Sequence, residues 1–318
     1  MIKYFARAFK ITNENIILTT PLVLFLFLLS LYMGVAQNAP ENLASAILLL
    51  ITILFMVSAF FAGWFYMVKK AIDLDNQEFI IEEDKAKASF HLIKEVPVGI
   101  GEYFFSLVGA LILYATFFIL LILIGYQIGI HLIGKVGVSL EQLRDALASP
   151  ATMKALVTSL SSEQLKKLNT WNFLFLIGSA IYSFLTMFWA VEIVNRTKNP
   201  FVAFFKSIKF AFSNFLSTLI LFTYISVINF TVSLLNAISM IHPIVYFISM
   251  LVYFYFVVYV VVLVFLYYDR ENNKQITEIE GGGAEGTNTE SECAESDSDS
   301  GTDSVGEEQS GDSTGEDE

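Results

Sequence analysis

Cysteine is nearly absent from this sequence: Cys293 is the only one among 318 residues. A single thiol excludes an intrachain disulfide framework and a thiolate metal cluster. Histidine is almost as scarce. His91, His131 and His242 stand in three separate segments without HExxH-like spacing, so no metal site is expected. Asp297, Asp299, Asp303 and Glu308 loosely echo a calcium loop, but Thr302 holds the position that needs Gly. Charge is thin as well, at 16% of residues, against about a quarter in ordinary soluble domains. No glycine-rich phosphate loop, nucleophile elbow or kinase signature appears. The chain is therefore expected to need no cofactor, to bind no nucleic acid and not to be an enzyme.

What the chain has in quantity is apolar surface. It is 55% hydrophobic, contains 30 Phe, and has a mean hydropathy of +0.61. Apolar runs fall at 16–36, 44–68, 103–131, 171–194, 216–241 and 243–268. Each has the roughly 20 residues needed to cross about 30 Å of hydrocarbon. These runs predict an all-α polytopic membrane protein with six transmembrane helices. The first run is too long for a cleavable signal peptide and lacks a small-residue cleavage site.

The formal charge of −12 is unevenly placed. Residues 1–270 carry 18 Lys and Arg against 15 Asp and Glu, a net +3, whereas 271–318 carry one Lys and 16 acids, a net −15. The domain boundary is accordingly set at 270, with an acidic tail expected to be disordered. Lys and Arg number 14 on the side of both termini and five on the other. That asymmetry predicts cytoplasmic termini and an inner-membrane location.

Basic, Phe-containing segments precede three of the spans. The clearest is Asn199–Asn214, where Asn199 can cap and Pro200 can open a helix. Its predicted faces are Phe201, Phe204, Phe205, Ile208 and Phe212 on one side and Lys206, Lys209 and Ser213 on another. Such a helix reads as an interfacial anchor that contacts membrane lipid. Residues 1–12 and the string KASFHLIKEV repeat the pattern, giving units of 1–68, 86–194 and 200–268. They read either as true hairpin repeats or as ordinary basic lead-ins to hairpins. The loop 132–170 carries capping boxes at Ser139/Gln142 and Ser161/Gln164 and a helix start at Ser149–Pro150. Gly125 and Gly129 form a GxxxG expected to admit a neighbouring helix.

Polar groups inside the spans are few. Glu192 reads as a local pair with Arg196 one turn on, or else as an ion or proton site. Glu102 reads as an interfacial charge. In the fifth span Ser226, Asn229, Ser233 and Asn236 are spaced 3, 4, 3, with Thr223 one turn earlier. Lipid cannot satisfy these groups, so the stripe is expected either to bond neighbouring helices or to line a solute path.

The strings TKNPFVAFFKSIKFAFSNF and VVLVFLYYDREN, with Tyr268, Asp269 and Arg270 at the exit of the last span, carry a resemblance. Over roughly 190–272 the chain resembles bacterial multi-pass proteins grouped with the membrane domain of some glycerophosphodiester phosphodiesterases. The resemblance implies a helical membrane bundle and transfers no catalytic residue, because the soluble phosphodiesterase domain is lacking. The expected function is accessory or membrane-organising, with lipids and a partner protein or second copy as contacts. The alternative is a transporter of a small or lipid-like solute along the polar stripe.

Overall fold

A computed structural model describes residues 2–36, 42–77, 82–239 and 242–282; the side chains at 82, 140, 143, 147, 148, 150, 236–239, 243 and 272–282 are not described. Twelve helices follow in order: α1 Ile2–Glu14, α2 Thr19–Ala36, α3 Leu43–Asp75, α4 Glu82–His91, α5 Glu95–Leu132 and α6 Leu140–Ala148. The second half comprises α7 Pro150–Ser159, α8 Ser162–Thr186, α9 Trp189–Asn195, α10 Pro200–Ser213, α11 Phe215–Ser239 and α12 Pro243–Gly282. Single 3-10 turns, Ile16–Leu18 and Leu92–Lys94, join α1 to α2 and α4 to α5. Six segments are long and apolar enough to cross a membrane. The chain is an all-α, multi-pass membrane protein.

The expected boundaries change in three places. α3 and α5 extend past the predicted spans, and KASFHLIKEV runs through one 3-10 turn into α5. The predicted run 171–194 begins earlier, at Ser162, and breaks at Met187–Phe188 before α9. The boundary set at 270 falls inside α12, which continues to Gly282. Residues 1–275 form one compact unit, and most of the expected tail, with Cys293, lies outside the described residues.

The local helix signals are realised as written. Ser139, Ser149 and Ser161 each close a reciprocal capping box, with Gln142, Thr152 and Gln164. Asn199 accepts from the amides of Phe201 and Val202, and Pro200 occupies the first turn.

The faces of α10 differ from expectation. It buries Ala203, Ser207, Phe210 and Ala211, while Phe201, Phe205 and Phe212 are exposed. Phe204 alone of the predicted wall packs inward, stacked on Phe117 at 4.7 Å and against Trp189. Lipid is as apolar as phenylalanine, so nothing drives rings off that surface; small residues let helices approach instead. Lys206, predicted as an anchor, turns to Glu192, leaving Lys209 with Phe201 and Phe205 on the outer surface.

The three-unit regularity reappears in packing. α1 buries Tyr4, Ala8, Ile11 and Thr12, the same i, i+4, i+7, i+8 spacing as in α10. Asn15 and Asn214 follow at the same distance. Each amide donates to the carbonyl four residues back, Ile11 at 3.0 Å and Phe210 at 3.4 Å. Each lead-in also packs on the hairpin before it. α10 lies on α5, α8 and α9. α4 reaches the junction between α1 and α2 through Ser89–Asn15 (2.7 Å) and Lys85–Glu14 (2.7 Å), and packs on α3. α1 closes onto the last hairpin, where Phe5 stacks on Tyr224 at 4.1 Å and Tyr4 meets Tyr267 at 5.9 Å. The units thus pack cyclically.

Close helix contact occurs at Gly63 and Gly99, between α3 and α5. A Cβ on Gly99 would lie 2.7 Å from the Ala62 carbonyl and 3.1 Å from Gly63 Cα. The predicted Gly125/Gly129 pair faces α8, through rings rather than backbone. Gly129 accommodates the Trp171 indole, 2.2 Å from where a Cβ would stand, and Gly125 has ordinary clearance of 3.6 Å to Phe175.

Candidate functional site

The polar stripe of α11 is divided by its surroundings. Thr223 bonds back to the Leu219 carbonyl at 2.8 Å. Ser233 is exposed, and the Asn236 side chain lies outside the described ones. Ser226 and Asn229, near the middle of α11, line a cavity of about 470 Å³ between α3, α8, α11 and α12. Opposite them, α8 contributes Ser179 and Ser183, and the walls are Phe65, Met187, Val191, Phe222, Val261 and Phe265.

Ser179 bonds its own helix at Leu176. Among the described residues, Ser183, Ser226 and Asn229 make no side-chain hydrogen bond. The hydroxyl contacts that join α11 to α12 lie elsewhere, at Tyr224–Tyr259 (3.0 Å) and Thr218–Tyr267 (3.4 Å). Two hydroxyls and an amide therefore face an otherwise apolar cleft that is open at the side, where Ser183, Ser226 and Asn229 are themselves exposed. Its volume falls in the 300–1,000 Å³ range typical of ligand pockets, which combine apolar walls with a few polar groups. No charged side chain lines it. An ion there would lose its hydration without a counter-charge, so the cavity suits a neutral molecule with hydrogen-bonding groups. Sequence reading missed the α8 half of this site. Ser179 and Ser183 are four apart, beside Gly178 and Ala180, but isolated serines in an apolar run carry little signal.

Glu192 lies outside the cavity and is fully buried. The Tyr268 hydroxyl donates to its Oε2, and Lys206 Nζ stands 3.5 Å from its Oε1. The carboxylate thus makes tertiary contacts that the local reading did not include, joining α9 to α10 and α12. Glu102 pairs with Lys198 at 3.1 Å, which also lies over the Tyr103 ring. Of the histidines, His242 accepts from the Ile244 amide in the turn before α12, and His91 ends α4. Comparison with family models, curated proteins and solved structures finds no match, so the function is argued from this geometry.

Proposed function

We propose that this chain is a non-enzymatic membrane transporter that holds a small neutral solute in the cavity at Ser183, Ser226 and Asn229. The observation that carries the reading is that these side chains face a cavity rather than a neighbouring helix. Interhelical bonding, the competing role for the stripe, is supplied on α11 by Thr218 and Tyr224. The neutrality of the solute follows from the uncharged lining. A membrane-organising role has its own support in α10, where Phe201, Phe205 and Lys209 face outward as an interfacial anchor. The two are compatible, since no residue of α10 lines the cavity. Termini on the cytoplasmic side of the inner membrane fit the excess of basic residues there.

The test is Asn229→Leu, alone and with Ser226→Ala. Protein purified from native membranes is compared with the variants by mass spectrometry of released small molecules. We expect a neutral compound retained by the parent chain and depleted about tenfold in the variants, the loss of a hydrogen bond or two, at unchanged melting temperature. If Asn229→Leu instead fails to accumulate, the stripe is structural and the proposal falls.

A further inference from the structure

The exposed faces of spanning helices meet hydrocarbon, and that decides what can reach the cleft. Leu176, Ser179, Ala180 and Ser183 on α8, with Ser226 and Asn229 on α11, both line it and are exposed. It therefore opens sideways, between these two helices. The opening lies at mid-span: Ser226 stands eleven residues from Phe215 and thirteen from Ser239, about 16 and 20 Å along α11. Large exposed apolar residues flank it, Phe173 and Ile177 on α8 and Val227 and Phe230 on α11. On its inner wall Val191 and Phe265 are each 2% exposed. The open side is the one that faces the bilayer.

A hydroxyl on such a face ordinarily satisfies itself on its own helix. Ser179 bonds back to the Leu176 carbonyl, Thr223 to Leu219 and Thr231 to Val227. Among the described residues, Ser183, Ser226 and Asn229 make no such bond. Hydrocarbon offers them nothing in exchange, so they call for a partner that carries hydrogen-bonding groups and arrives through the bilayer. The lining is uncharged, which disfavours an ionic head group. Beyond Ala180 and Phe222, which line both spaces, lies a groove of about 310 Å³ walled only by Ala, Ile, Leu and Phe. It follows α8 and α11 as far as Phe212 and Phe215. Polar groups in the cleft and apolar surface beside it match the two parts of an amphiphile.

Resting on the cavity reading above, we propose that the solute is an uncharged membrane lipid with a free hydroxyl, which enters from the bilayer between α8 and α11. Its head bonds to Ser183, Ser226 and Asn229, whose amide offers both donors and an acceptor. Its chain stays on the apolar face of α8 and in the adjoining groove. A polyol would have to dissolve in hydrocarbon to reach the same opening, and a phospholipid would bring charge into it. A hydroxyl head held at mid-span lies between the two leaflets, where it would otherwise go without a partner.

The test uses Cys293→Ser, which removes the only thiol, with Ala180→Cys as a reporter at the opening. In phosphatidylcholine proteoliposomes, pyrene maleimide, which dissolves in the bilayer, is compared with a charged methanethiosulfonate, which does not. Relative to the unfolded chain, the first is expected to label about tenfold faster than the second. Dioctanoylglycerol or farnesol in the bilayer should slow pyrene-maleimide labelling about fivefold. Glycerol and dioctanoylphosphatidylcholine should not, and Asn229→Leu should abolish the protection, with Ser183→Ala/Ser226→Ala in its place if it folds poorly. The proposal is overturned if the charged reagent labels as fast, if neither lipid protects, or if glycerol does. Protection that survives both variants also overturns it, because the lipid then covers the opening without using its polar groups. Disulfide-linked dimers of Ala180→Cys would put a second copy there instead, with the same consequence. The cavity reading is judged separately: depletion of the native compound in Asn229→Leu without protection by either lipid leaves that reading standing and removes this one.

Discussion

Glu192 shows how a single residue ties the second unit to the third. A fully buried carboxylate is costly unless donors reach it. The donor side here is the Tyr268 hydroxyl, with Lys206 more distant and half-exposed. Tyr268→Phe leaves Oε2 without its partner and is expected to cost on the order of 1–3 kcal/mol. Replacing both groups by apolar ones of similar size removes the demand and the supply together. The double variant Glu192→Leu/Tyr268→Phe should therefore recover most of that loss, while Lys206 turns to water. Thermal unfolding of detergent-solubilised protein checks the order. A double variant less stable than Tyr268→Phe would mean that Glu192 has a role beyond this contact.

Helices were legible in the sequence where the signal is local, and their contacts were not. The capping boxes at Ser139 and Ser161, the helix start at Ser149–Pro150 and the cap at Asn199 need only a four-residue window, and all four are formed. The contact face of α10 needed knowledge of the solvent. In water Phe201, Phe205 and Phe212 would mark the buried side; in lipid the marker is Ala203, Ser207 and Ala211. The stripe on α11 was readable from its 3-4 spacing, but its partner serines on α8 lie more than 40 residues away in sequence. The glycines make the same point. Gly125 and Gly129 share a motif, whereas Gly63 and Gly99 are on different helices and meet only in the fold. Gly99→Ala would drive a methyl into the Ala62 carbonyl and should prise α3 from α5, at about 1–3 kcal/mol for overpacking. Gly125→Ala meets only ordinary contact at 3.6 Å and gains helix propensity of about 1 kcal/mol. Melting temperatures are expected to fall for the first and hold or rise for the second. The reverse order would return the helix contact to the GxxxG.

At the scale of the molecule, the cyclic packing gives α1 a task that its sequence did not announce. Read alone, it is one more basic amphipathic lead-in. In the fold it occupies the place against α11 and α12 that α10 occupies against α5, α8 and α9. Arg7 and Lys206, at equivalent positions in the shared register, each meet a carboxylate on a returning helix. Arg7 reaches Asp75 at 2.7 Å, and Lys206 reaches Glu192 at 3.5 Å. Without α1 the first and third units would touch only through their spans. Deleting residues 2–14 uncovers Tyr224, Tyr259 and Tyr267 and removes the partner of Asp75. Ring contacts are worth about 0.5–1.5 kcal/mol each beyond burial, and in a protein this size each kcal/mol moves the midpoint by about 2–4 °C. A fall of roughly 5–10 °C in melting temperature is thus expected. Replacing residues 140–159 by a short Gly/Ser linker is the control, because α6 and α7 pack chiefly on one another. It should leave the midpoint in place. Equal losses in the two deletions, or none on removing α1, would show that the bundle closes without its first helix. In that case the matching register of α1 and α10 would reflect only how a short basic helix lies at a membrane surface.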